Sequence, residues 1–188
     1  MIEIKILLKK FYMNDTKQVA KDLLGKTLVR KIGTQILSGV ITETEAYKGK
    51  NDPASHASRK KTERNKIMFG EVGVAYVYFT YGMHYCFNVV AKKKNDKAGA
   101  VLIRAIQPQQ GINHMIKNRK TDIISNLTNG PGKLTQATQI TLKQYNHDLT
   151  KKSSLFIIDS EKPNKIIAKH RVGIKLGVDK LWNFSYKI

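Results

Sequence analysis

"VAYVYFTYGMHYCFNVVA", residues 74–91, decides how the chain folds. Valines and aromatics fill it, residue types that suit a pleated, half-buried surface, and the one glycine in it is Gly82. The run reads as two strands turning back on each other near that glycine. Five rings surround the turn: Tyr76, Tyr78, Phe79, Tyr81 and Tyr85. Aromatic hairpins usually pack cores, but a side chain at the very tip of a turn has little core to enter. Tyr81 therefore reads as a surface probe. Asn88 stands alone among apolar neighbours in "CFNVVA", either as a satisfied core amide or as a group that reads a ligand.

Working outward, strand signals recur in "TLVRKI" (27–32) and "QILSGVITETEAY" (35–47), which flank Gly33, and in "AVLIRAIQP" (100–108), a β-rich run that Pro108 closes. A late strand is expected over "KIIAKHRVGIKL" (165–176). Helices are expected at 16–24, with Thr16 as N-cap and Gly25 as the stop, at 109–118, and at 131–141 with Pro131 at the first helical position. No internal repeat, low-complexity tract or long Pro/Gly-rich linker interrupts the chain. Its 188 residues, 41% of them hydrophobic, suit one domain, 1–188, of the α+β class centred on a sheet.

Thirty-four Lys and Arg against fourteen Asp and Glu give a formal charge of +20. An excess this large repels itself and makes sense if a polyanion offsets it, nucleic acid first, with a merely basic protein and an anionic membrane surface as the alternatives. The opening "MIEIKILLKKFY" has an apolar run too short for a signal segment, and no later stretch approaches a membrane span, so a cytoplasmic protein with no membrane partner is expected. Cys86 is the only cysteine, which leaves no internal disulfide. The histidines at 56, 84, 114, 147 and 170 lack HxxxH spacing, so no metal and no cofactor are expected.

Four of the few acidic side chains fall in "ETEAYKGKNDPASHASRKKTERNK", residues 43–66. On a strand, Ile41, Glu43, Glu45 and Tyr47 would share one face. A solvated edge strand is the plain reading of that row. The basic run that follows tips the balance, because carboxylates beside a phosphate-binding surface repel DNA and need a chemical reason to be there. General-base catalysis is such a reason. Arginine is scarce, six against twenty-eight lysines, and Arg104 sits within "VLIRAIQP", where an unpaired charge is costly. A carboxylate partner such as Glu45 resolves that cost, as a structural ion pair or as a catalytic one.

Taken together, "GVITETEAYKGKNDPASHA", "RNKIMF", "AYVYFTYGMHYCFNVV", "AVLIRAIQP", "NGPGKLTQA" and "HRVGI" resemble, in order and spacing, the alkyladenine (3-methyladenine) DNA glycosylases. The resemblance runs from about Leu23 to the C-terminus. It implies one domain around a curved, mainly antiparallel sheet with surrounding helices and a projecting β-hairpin. It implies a monofunctional enzyme that flips damaged purines from double-stranded DNA and hydrolyses their glycosidic bond, and a monomer is the simplest expectation for it. On the same resemblance Tyr47, Tyr78 and His56 would bind the flipped base, and Asn88 would exclude guanine by crowding its 2-amino group. Tyr81, with Met83, would fill the gap left in the duplex. Glu45 would activate a water that Arg104 and the Val172 backbone carbonyl position. "GPGKL" would either place Lys133 on a phosphate or set the helix entry.

That chemistry is coherent in its own terms. Alkylation at N3 or N7 makes the purine a cation and a good leaving group, so water activation and an aromatic sandwich suffice without a metal. A carboxylate close to the sugar also stabilises an oxocarbenium-like transition state. The alternatives are a glycosylase/lyase with a lysine nucleophile and a non-catalytic minor-groove protein that uses Tyr81 as a wedge.

Overall fold

A computed structural model describes residues 5–187; the first four residues of the opening segment and Ile188 lie outside the described residues. Two short helices, α1 (Lys9–Tyr12) and α2 (Thr16–Asp22), lead into strands β1 (Thr27–Ile32), β2 (Gln35–Lys48), β3 (Ala75–Thr80), β4 (His84–Val90) and β5 (Gly99–Gln110). Helices α3 (Ile112–Arg119) and α4 (Pro131–Thr138) follow, then β6 (Leu155–Ile158), β7 (Ile167–Lys169) and β8 (Asn183–Ser185). All strand pairs among the described residues are antiparallel, in the order β3-β4-β5-β2-β1-β6, with β8 joining β2 and β7. The architecture is the expected α+β one, a curved sheet with helices packed on it. No helix among the described residues is long and apolar enough to cross a membrane.

The 74–91 run forms β3 and β4 as read, and the turn between them carries a cost. Tyr81 and Gly82 have φ of 51° and 65°, and the Met83 N–H donates to the Thr80 carbonyl at 3.2 Å. Two consecutive positive φ values make the tight turn whose twist matches the strands. Glycine accepts this freely, whereas a tyrosine there is strained by about 1–3 kcal/mol.

β2 is central rather than an edge strand, paired to β1, β5 and β8. Its register against β5 slips on both sides of Glu43. Ile41, expected on the face of Glu43, Glu45 and Tyr47, instead joins Ala46, Leu24 and Phe87 in the main core. A bulge adds one residue and turns the alternation over. Thr44 then points at α2, where its hydroxyl donates to the Ala20 carbonyl at 2.7 Å, and both glutamates face the other way.

Other boundaries move for local reasons. The N-cap of α2 is Asp15, whose carboxylate accepts from the Lys17 N–H, while Thr16 is buried with its hydroxyl on the Ala91 carbonyl. Pro108 lies inside β5 opposite Gly39. Past Leu102, β5 has lost β4 and is paired on one side, where proline is tolerated. The following helix consequently starts at Ile112 instead of 109, after Gly111, and α4 ends at Thr138 instead of 141. The late strand shrinks to β7, and residues 170–182 form a strap without regular structure.

Candidate active site

β3, β4, β5 and the strap enclose a cavity of about 500 Å³ whose lining includes Tyr47, His56, Tyr78, Cys86, Asn88, Arg104 and Val172. Tyr81 also borders it from the hairpin tip, 80% exposed, with Met83 exposed beside it. The residues picked from sequence thus meet in one place. Glu45 is the exception in position: it is fully buried, just beneath Tyr47, Arg104 and Val172.

Three hydrogen bonds and one ion pair hold the Glu45 carboxylate. Its Oε1 accepts from the Val172 N–H at 2.8 Å and from Asn183 Nδ2 at 3.0 Å. Its Oε2 accepts from the Tyr47 hydroxyl at 2.7 Å and lies 3.5 Å from an Arg104 nitrogen. Arg104 is shared, since its Nε donates to Glu43 Oε1 at 3.0 Å. Burial works against the Arg104 charge, but Glu45 and Glu43 outweigh it and keep the guanidinium protonated. Burial, reinforced by Glu45, pushes the Tyr47 phenol far up, so it stays an O–H donor. Val172, expected to act through its carbonyl, engages Glu45 through its N–H.

The walls are aromatic. His56 meets the Tyr78 ring edge-on at 4.7 Å, and its Nδ1 is 2.9 Å from the Tyr76 hydroxyl. Burial, helped by the nearby Arg64 charge, pushes His56 down to about 4, so it is neutral at physiological pH. Burial also raises the Tyr76 phenol, which keeps its proton. If Tyr76 donates to Nδ1, the proton of His56 sits on Nε2, a donor available to a ligand. Arg64 lies over Tyr78 at 4.8 Å. Asn88 is buried and donates to the Tyr76 carbonyl at 3.0 Å, so it is a satisfied amide that also borders the cavity. Cys86, which burial keeps as a thiol, lies beside it.

Two residues to which the sequence assigned no role pin the strap. Asp52 and Arg171 are both fully buried at the side chain and form a two-pronged pair at 2.7 and 2.8 Å. Asp52 also accepts from the Lys48 N–H at 2.9 Å, and Arg171 stacks between Tyr47 at 4.7 Å and Trp182 at 5.1 Å. The scarcity of arginine was the one signal that could have singled out Arg171. In "GPGKL", Lys133 bonds the side chains of Asn126 and Asn129, and a Cβ on Gly132 would come 3.0 Å from the His84 ring. The segment thus seats the hairpin on α4. Among the described residues, no three His, Cys, Asp or Glu side chains converge as metal ligands would.

A family model described as methylpurine-DNA glycosylase matches residues 10–187. A protein of Carboxydothermus hydrogenoformans named "Putative 3-methyladenine DNA glycosylase" is 48% identical over 184 residues, covering 97% of this chain and 95% of that one. Proteins of the same name from Prosthecochloris aestuarii and Clostridium novyi are 47% and 43% identical. These cover 94% and 98% of this chain, and 85% and 96% of the respective relatives.

Proposed function

This chain belongs to the methylpurine-DNA glycosylase family, and on that premise we propose that it hydrolyses the N-glycosidic bond of damaged purines turned out of duplex DNA, leaving an abasic site. Its substrates are alkylated or deaminated purines: 3-methyladenine, 7-methylguanine, hypoxanthine and ethenoadenine. The observation that carries this reading is Glu45, a fully buried carboxylate under an aromatic cavity in a chain of charge +20. A protein that only binds a polyanion gains nothing from an anion there.

In this reading Tyr47 and Tyr78 stack on the extruded base, and the Nε2–H of neutral His56 donates to its edge or sugar. Tyr81 and Met83 occupy the vacated stack. Tyr47 and Arg104 stand between Glu45 and the cavity, so the Tyr47 hydroxyl leaves Oε2 as its ring settles against the base. The freed lone pair then takes a proton from water as that water attacks the anomeric carbon, with the Arg104 side chain and the Val172 carbonyl orienting it. The carboxylate also faces the developing oxocarbenium charge. Asn88 is held by the Tyr76 carbonyl with little freedom to retreat, which suits it to exclude a 2-amino group. The protein acts as a monomer in the cytoplasm.

The test is single-turnover release of hypoxanthine from duplex DNA. Glu45→Gln keeps the size and loses the base, so the rate should drop at least ~100-fold. Binding to abasic-analogue DNA should hold or tighten, because a carboxylate facing a polyanion has been neutralised. A wild-type rate in the variant would refute the assignment. Borohydride trapping of a covalent DNA adduct would point instead to a lysine nucleophile.

A further inference from the structure

We infer that Asn183 is a positioning residue for this reaction, setting which oxygen of Glu45 meets the water; the inference rests on Glu45 being the base. Asn183 opens β8 directly opposite Glu45 in β2 and opposite Lys169 in β7. Its side chain is buried, and Nδ2 has two hydrogens. One goes to Glu43 Oε1 at 2.6 Å and the other to Glu45 Oε1 at 3.0 Å. One amide thus spans both carboxylates.

The other end of the amide carries the argument further. Among the described residues Asn183 Oδ1 is buried without a partner, a cost that folded proteins rarely accept. A group kept with its acceptor unmet is there for its donors. With the Val172 N–H, those donors tie Oε1 inward, which turns Oε2 toward Tyr47 and Arg104 on the cavity side. Neutrality matters as much as geometry. Arg104 brings one positive charge to two carboxylates, so the cluster keeps a net negative charge. A second cation, from a Lys or Arg at 183, would hold the carboxylate ionised but make it a weaker base, whereas an amide fixes its position without adding charge.

The experiment measures single-turnover release of hypoxanthine and of 7-methylguanine by Asn183→Ala and Asn183→Ser, each made in the wild-type and Glu45→Gln backgrounds. Losing a hydrogen bond to a charged group predicts a roughly 10–100-fold slower hypoxanthine release by Asn183→Ala. Binding to abasic-analogue DNA should not change. 7-Methylguanine, already cationic, should be less affected, and Asn183→Ser, which retains one donor, should fall between. In the Glu45→Gln background the same substitution should alter 7-methylguanine release little, because a residue acting through Glu45 has nothing left to orient. Equal losses in both backgrounds, no loss in either, or loss of the fold in both Asn183 variants would overturn the inference. A wild-type rate for Glu45→Gln alone would instead refute the base on which it rests.

Discussion

Asp52→Asn probes the pin that holds the strap over the site. The wild-type pair is buried on both sides, and the carboxylate offers one oxygen to each Arg171 nitrogen. Asparagine keeps the shape but replaces one acceptor by a donor that faces a guanidinium. Removing one partner of a buried pair leaves the other charge uncompensated, at about 3–5 kcal/mol. In a chain of this size about 1 kcal/mol moves the melting temperature by roughly 2–4 °C, so thermal melting should fall by about 6–20 °C. Arg171 retains its carbonyl contacts to Ala46 and Gly177 and its two ring contacts, which places the expected loss toward the lower end. Residues 170–182 have a second route, undocking while the sheet stays folded. In that event melting changes less, but the Val172 amide loses its bond to Glu45 and exchanges with solvent. Hypoxanthine release should fall in either case. A variant that melts within about 2 °C of wild type, with the Val172 amide equally protected, would refute the reasoning.

Tyr81→Gly should hold or raise the melting temperature, because glycine accepts a φ of 51° without strain, while binding to abasic-site DNA weakens through loss of the wedge. Asn88→Ser should cost about 1 kcal/mol in chemical denaturation from the lost bond to the Tyr76 carbonyl. It alone should release normal guanine, as scored by base liberation from undamaged duplex. His56 predicts a pH effect: the unfolded chain takes up this proton near pH 6.5 and the folded protein only near 4, so the unfolded state holds more protons in between. Stability contributed by neutral His56 is complete above pH 6.5 and lost as the pH falls toward 4, and His56→Gln should flatten that part of the melting profile. Binding to undamaged duplex should weaken steeply with salt, by a log–log slope of about −0.9 per neutralised phosphate, and a flat dependence would remove the role assigned to the +20 charge.

Features carried by short-range chemistry were legible in the sequence. The paired strands around Gly82 and the exposed Tyr81 followed from residue type and turn geometry, and Arg104 announced its need for a carboxylate. Both glutamates answer that need, with Glu43 at 3.0 Å closer than the expected Glu45 at 3.5 Å. What stayed hidden depends on pairing between distant segments. Alternation could not reveal the bulge beside Glu43, because the extra residue exists only relative to β5. Asp52 and Arg171 lie 119 residues apart, and Asn183 lies 138 from Glu45, so no local pattern joins them. Pro108 and Thr16 misled because a proline was read without knowing that β5 has one partner there, and a threonine without knowing that the Ala91 carbonyl awaited its hydroxyl.

The bulge in β2 makes residues 41–45 behave like a reading frame. Upstream of it one parity of the strand feeds the core, and downstream the other parity does, so the identity of the face is set by counting rather than by composition. Flattening the bulge at unchanged length would leave every side chain chemically unchanged and yet restore strict alternation, sending Thr44 and Ala46 toward the cavity and the two glutamates toward α2, among Ala20, Leu23 and Leu24. A change of length between Ile41 and Glu45 therefore keeps both faces of this strand only where an odd change removes the bulge or an even one retains it.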